Sequence, residues 1–265
     1  MGTHQERKPI LKWLDRAANG MADTVTANSA AVAEDTAARD GYPLADIIVI
    51  PNGLDFTAID RDAPQRDEMR RRLGIAMDET AITMVANLIP YKGHADLIRA
   101  FALLAPDHRA KLFLIGRDDG IGASLTELAA NLGVAGRVVA LGQRDDVASL
   151  LSAMDIGVMT SDQEGLSNAV LEKLGSGLPV VATSAGGNRE ALEGMPGCEL
   201  VRLHDPDDLA RGLSAVIANP AAGNRGGELR RLARERYSVD GMVEAHERLY
   251  ERLYHGAIDA AHAGR

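Results

Sequence analysis

From residue 23 to residue 202 the chain alternates short β-branched apolar runs with longer amphipathic stretches, and that alternation leaves few folds open. Residues 24–28, 47–51, 81–86, 112–115, 138–141, 156–159, 180–183 and 200–202 read as strands. Most of these runs are continuously apolar, which is the pattern of strands covered on both faces; a sheet with one wet face shows period two. Residues 94–104, 124–132, 147–153, 168–175 and 207–217 carry helical periodicity between them. A βαβα order of this kind implies an α/β chain built on a Rossmann-like, doubly wound parallel sheet.

The rhythm breaks at residues 56–73, which are charged, contain Pro64 and carry Arg70, Arg71 and Arg72 in a row. This stretch is expected to be a linker with a short helix joining two units. The unit before it has only two strands, too few to bury a two-sided sheet alone. The unit after it, from about residue 78, has six and reads as complete. A second break at residues 223–227 precedes helical stretches at 228–236 and 239–254. The expected division is therefore 1–75, 76–222 and 223–265. Neither an internal repeat nor a low-complexity tract is present.

Composition narrows the function classes. The net charge of −9 and the 3% aromatic content argue against nucleic-acid binding, which needs a basic face and rings for stacking. The single cysteine, Cys198, permits no internal disulfide and reads as a small buried apolar residue. The longest apolar runs, near 47–51 and 82–90, fall far short of the roughly 20 residues that span a bilayer. With no apolar stretch typical of a signal peptide at the N-terminus, a cytoplasmic location is expected. His94, His108 and His204 lack ligand spacing and are expected in surface or cap roles. The pairs Asp118–Asp119 and Asp145–Asp146 read as solvated turns or helix starts. The glycines of 116–122 do not fit Gly-x-Gly-x-x-Gly, and no Gly-x₄-Gly-Lys-Ser/Thr occurs, so neither a dinucleotide site nor a P-loop is indicated.

In open parallel sheets ligands bind beyond the carboxyl ends of the strands, where helix N-termini present free N–H groups. The turns 87–93, 116–122, 161–168 and 184–188 lie there. The richest is the stretch 160–172: a buried strand ends at Met159, a polar loop follows, and a helix opens near Asn168, a good cap residue. The amides of residues 166–170 are expected to face the cleft and attract a phosphate, with Glu164 and Glu172 on either side. Read alone, Glu172 is better explained as an acidic residue favoured by the helix dipole, and Lys92 as a solvated loop lysine.

Four elements occur together and in order: Pro-Asn-Gly-Leu-Asp at 51–55, Lys92–Gly93, Glu164 with Glu172 eight residues on, and the stretch 178–190 with its Pro-Val-Val-Ala-Thr strand and Gly-Gly-x-x-Glu turn. In these the chain resembles the family 4 glycosyltransferases, retaining enzymes of the GT-B fold, over roughly residues 22–254. The resemblance implies a GT-B C-terminal domain plus a truncated remnant of the N-terminal Rossmann-like domain. By the same resemblance Glu164 is the catalytic-site carboxylate that meets hydroxyls of the donor sugar, and Glu172 binds the ribose. Lys92, with Gly93, holds the donor diphosphate, and Gly165, Leu166, Ser167 and Asn168 form the loop whose amides cradle the distal phosphate.

Two departures qualify this. Relatives usually carry Gly-Arg where this chain has Ala86 and Asn87, so a neutral Asn87 stands in the place of a diphosphate-gripping arginine. The glycine-rich turn and histidine of the acceptor-binding lobe have no counterpart, which implies a fragment or a lobe supplied by another polypeptide. The expected activity is retaining transfer of a hexose from a UDP- or GDP-sugar to a glycan or lipid-linked acceptor, without a cofactor or metal. The competing expectation is a non-catalytic nucleotide-sugar-binding module. Without the acceptor lobe, apolar faces around residues 24–28 and 239–254 are expected to be bare and to drive self-association. Peripheral association with the inner face of the membrane is compatible with the resemblance.

Overall fold

The computed structural model describes residues 22–62, 66–104, 108–219 and 227–263. Pro64 and the expected break from residue 223 through residue 226 lie outside them.

Two strands open the described part of the chain, β1 (Val25–Ala27) and β2 (Ile47–Val49), paired in parallel around helix α1 (Ala30–Asp40). Ser29 caps α1 by accepting a hydrogen bond from Val32 N at 3.2 Å. Helices α2 (Phe56–Asp62) and α3 (Arg66–Arg72) fill the stretch expected to hold one short helix. Then comes the main body: β3 (Thr80–Val85), α4 (His94–Leu103), β4 (Ala110–Ile115), α5 (Gly122–Asn131), β5 (Val138–Gly142), α6 (Val147–Ala153), β6 (Ile156–Met159), α7 (Asn168–Gly175), β7 (Val180–Thr183), α8 (Asn188–Leu192), β8 (Glu199–Val201) and α9 (Pro206–Ala218). Helices α10 (Gly227–Tyr237) and α11 (Val239–Ala263) close it.

The six strands of the main body form one parallel sheet in the order β5-β4-β3-β6-β7-β8, as the apolar runs predict. Side chains alternate across it. Ile82, Met84, Leu112, Leu114, Ile156 and Val158 pack on one face with Leu97, Ile98 and Phe101 of α4 and Leu209 and Leu213 of α9. Ala81, Phe113 and Ile115 pack on the other with Met69 of α3 and Leu150 and Leu151 of α6. Helix α2 touches both α6 and α7, which places α7 on this second side. With both faces covered, β3, β4, β6 and β7 have no wet side, so the absence of alternation in their sequences follows from burial, whereas β5 at the edge stays partly exposed.

The chain builds β3, β4 and β5 outward in one direction, then returns across the sheet to lay β6 on the free side of β3. The crevice between the carboxyl ends of β3 and β6 is thus the topological switch point, where such sheets bind ligands.

At the opposite end of the sheet, Asp155 gathers a buried network just ahead of β6. Its carboxylate accepts from Arg66 Nη2 at 2.6 Å, Arg70 Nη1 at 2.9 Å and Ala81 N at 2.8 Å. Arg70 is 3% exposed and also donates to the carbonyls of Ala153, Ala76 and Glu79. The basic run at 70–72 is therefore divided: Arg70 faces the core, while Arg71 and Arg72 face solvent.

The segment at 51–55 has a structural task. Leu54 N donates to Tyr237 O at 2.8 Å and Val239 N donates to Leu54 O at 3.0 Å, so the junction of α10 and α11 is clipped to it. A Cβ on Gly53 would stand 2.6 Å from Val239 Cα, which restricts this position to glycine. Among the described residues no helix is long and apolar enough to cross a membrane.

Candidate functional site

After β3 the chain makes a single tight turn, Pro90–Lys92, and enters α4 through Gly93 at φ 74°. A Cβ on Gly93 would lie 2.2 Å from the Thr160 carbonyl oxygen, so glycine lets this turn lie directly on the strand end of β6. Thr160 Oγ1 donates to Lys92 O at 2.9 Å, and Asp162 N donates to Tyr91 O at 2.8 Å. Pinned this way, Lys92 reaches Glu164 across the switch point with Nζ 2.6 Å from Oε1. Both side chains are mostly shielded, at 17% and 11% exposure. Ser161 Oγ donates to the same carboxylate oxygen at 2.7 Å.

Helix α7 starts beside this pair. Its N-cap is Ser167 and not Asn168: the Asn168 side chain is engaged elsewhere, accepting from Asn52 Nδ2 at 2.8 Å. The expected run of free amides is also shorter. Val170 N and Leu171 N both donate to Ser167 O, and Leu166 N donates to Asn28 Oδ1 at 3.4 Å. This leaves Ser167, Asn168 and Ala169 as the N–H groups without an intrahelical partner at the mouth of the helix. Glu172 lies one turn in and is partly buried. Burial raises its carboxyl above the usual range, while the neighbouring Lys173 ammonium pulls it down.

The 186–190 turn supports the loop from below. Gly187 N donates to Glu164 O at 3.2 Å, and a Cβ on Gly186 would stand 1.8 Å from that oxygen. Glu190 reaches past the loop to the first strand pair, accepting from Ala30 N and Ala31 N at 2.9 Å each. There its charge meets the positive end of α1. Asn52 Nδ2 donates to Leu166 O at 3.0 Å. The 164–168 loop is therefore held from both sides, by the first strand pair and by the turn after β7.

Along the crevice, the carboxyl ends of β3, β4 and β5 border an open pocket of about 260 Å³, lined among others by Asn87, Gly116, Arg117 and Arg144. Asn87 is exposed, and its Oδ1 accepts from Arg117 N at 3.3 Å. Each arginine is paired with a carboxylate two residues on, Asp119 or Asp146.

Two family models match the chain. The model described as "Glycosyl transferases group 1" matches residues 79–219, and "Glycosyltransferase Family 4" matches residues 2–58. A D-inositol 3-phosphate glycosyltransferase of Geodermatophilus obscurus is 33% identical over 210 residues, 74% of this chain and 46% of the relative. The chain belongs to the family 4 glycosyltransferases. An N-acetyl-alpha-D-glucosaminyl L-malate synthase of Bacillus anthracis is 27% identical over 244 residues, 91% of this chain and 63% of that one. This family 4 chain thus spans about half of the first relative's length and somewhat more of the second's. Anabaena HepE in complex with UDP superposes with a TM-score of 0.80 at 26% identity, covering 94% of this chain and 69% of HepE. A glycosyltransferase from Rickettsia africae shares the fold, with a TM-score of 0.82 at 18% identity, covering 93% and 68%.

The expected site residues fall into two groups in space. Lys92, Gly93, Glu164, Gly165, Leu166, Ser167, Asn168 and Glu172 surround the switch point, whereas Asn87 sits farther along, at the pocket. His94 corrects the expectation of a surface role. It is 1% exposed, drawn inside with the Gly93 turn, and burial holds its pKa down at about 4, so the ring is neutral. Cys198 is partly buried and accepts from Val180 N at 3.3 Å; burial pushes its thiol up to about 12. Asp118 serves as a turn residue, accepting from the amides of Gly120, Ile121 and Gly122. Sequence reasoning missed Asn28 and Asn52, whose partners are too remote in the chain for any spacing rule to show, and Ser161, although its partner Glu164 lies in the same loop. It also missed Lys173, which the glycine in the middle of β6 could have signalled.

Proposed function

We propose that this chain is the donor-binding part of a retaining glycosyltransferase, moving a hexose from a UDP- or GDP-sugar to a glycan or lipid-linked acceptor. The observation that carries the reading is the Lys92–Glu164 pair at the β3/β6 crevice, 2.6 Å apart, beside the open N-terminus of α7. A cation, a carboxylate and free amides are the groups a sugar diphosphate requires. The diphosphate rests on the amides of Ser167, Asn168 and Ala169 and draws Lys92 away from Glu164. Glu164, released from the ammonium but still held by Ser161, accepts hydroxyls of the donor sugar. Glu172 accepts from the ribose, and the pocket beyond Asn87 takes the base.

When the sugar–phosphate bond breaks, the electron pair leaves with the diphosphate, where Lys92 and the α7 dipole stabilise it. The acceptor oxygen bonds to the anomeric carbon on the same face, and its proton passes to a phosphate oxygen of the leaving group. The protein contributes position and charge and needs no base of its own. The likeness to UDP-bound HepE supports the donor class.

Calorimetry of the full chain with UDP and GDP tests the reading. Glu172→Ala is expected to weaken nucleotide binding by about 1.5–3 kcal/mol, the range of a hydrogen bond to a charged group. Glu164→Ala is expected to leave UDP affinity within a few-fold and to lower donor hydrolysis or transfer. Binding of neither nucleotide, or full-strength binding by Glu172→Ala, removes the assignment.

A further inference from the structure

Helix α7 turns a lysine into the core. Lys173 is 0% exposed, lodged between the helix and the sheet among Val170, Leu171 and Leu174. Its stem crosses β6 at Gly157, where a Cβ would stand 2.3 Å from Lys173 Cδ. A glycine inside a strand weakens it; here it opens the slot that admits the lysine. Helical side chains lean toward the N-terminus, and this one follows: Nζ donates to Ala169 O at 2.9 Å. The ammonium thus sits beneath the first turn of α7, under the three free amides. Among the described residues that carbonyl is its one hydrogen-bond partner, although the group has three donors.

An apolar side chain of similar length would fill this slot at lower cost than a charge with so little compensation. We propose that Lys173 is a positioning residue of the donor site, a buried ammonium that adds positive charge beneath the phosphate-binding turn of α7 and opposes the Glu172 carboxylate. The proposal rests on reading that turn as the diphosphate site. In low dielectric the charge acts over several ångströms with little screening. It thereby supplies part of the positive field that an arginine at position 87 would bring.

The charged groups bearing on the ammonium are Glu172 on its own helix, Glu164 in the loop after β6 and Lys92 in the turn after β3. Burial lowers the Lys173 pKa to about 8, with Glu172 and Glu164 opposing the fall and Lys92 adding to it. A bound diphosphate favours the charged form. Above pH 8 the free chain has therefore lost a proton that the complex regains, and affinity falls as pH rises.

The test is calorimetric titration of UDP into the full chain and into Lys173→Met, at pH 7 and pH 9, in buffers of two ionisation enthalpies. For the unsubstituted chain, affinity is expected to fall about tenfold between the two pH values, and binding near pH 8.5 to take up a proton. Lys173→Met is expected to bind UDP about tenfold more weakly at pH 7, to lose the proton uptake and to flatten the pH profile. It should melt no lower than the unsubstituted chain at pH 7, because a buried charge has been removed. Equal affinity and the same pH slope in Lys173→Met overturn the proposal. If that variant fails to fold, absence of proton uptake in the unsubstituted chain overturns it equally. A chain that binds neither UDP nor GDP at either pH defeats the donor-site reading itself, and this proposal with it.

Discussion

Asp155→Ala is expected to cost about 3 kcal/mol of folding stability, read as a lower midpoint in urea at constant slope. The carboxylate joins two guanidinium groups to the start of β3, and Arg70 is 3% exposed. Removing it leaves a buried cation with carbonyl partners and, as counter-charges, only the carboxylates of Glu79 and Asp67, neither hydrogen-bonded to it. It also frees the Ala81 amide, which is fully buried. That is a different case from the exposed pairs of this chain, such as Arg109–Asp78, each worth about 0–1 kcal/mol. Asp155→Asn keeps an acceptor for one or two of the three bonds and should lose less. The network lies at the amino end of β6, a strand's length from Lys92, so the folded fraction of Asp155→Ala should bind UDP as the unsubstituted chain does. A change below about 1 kcal/mol would mean that the arginines find other partners.

How much of this was legible depended on how local the causes were. The sheet could be read because burial on both faces writes itself into each strand as an unbroken apolar run. The loop after β6 could be placed because a polar stretch separates an apolar strand from a helix start, while the roles of Glu164 and Glu172 came from the family resemblance. Other features had remote causes. Ser167 takes the cap because Asn52, 116 residues earlier, engages the Asn168 side chain. His94 is inside because Gly93 lets its turn sink onto Thr160, a contact no periodicity encodes. Lys173 misleads for the opposite reason: a charge in an amphipathic pattern reads as a solvent position, and only Gly157, sixteen residues before it, betrays the slot. Arg70 is the same case in α3, its burial explained by Asp155.

Gly93→Ala should do the most damage to the site. At φ 74° an alanine carries the left-handed penalty of about 1–2 kcal/mol. Beyond this, its Cβ would meet the Thr160 carbonyl oxygen at 2.2 Å, and that oxygen belongs to backbone fixed by β6. The Pro90–Lys92 turn must then lift, breaking the bonds from Thr160 Oγ1 to Lys92 O and from Asp162 N to Tyr91 O. The combined loss is about 3 kcal/mol. Lys92 moves with the turn, so UDP affinity is expected to fall by at least tens of fold. Gly74→Ala is the matched control: its φ is 64°, yet a Cβ there meets nothing within 4 Å. It should lose about 1 kcal/mol and bind UDP normally, which separates backbone strain from close approach. If the two variants melt alike and bind alike, the contact between the turn and Thr160 is not what sets Lys92 in the crevice.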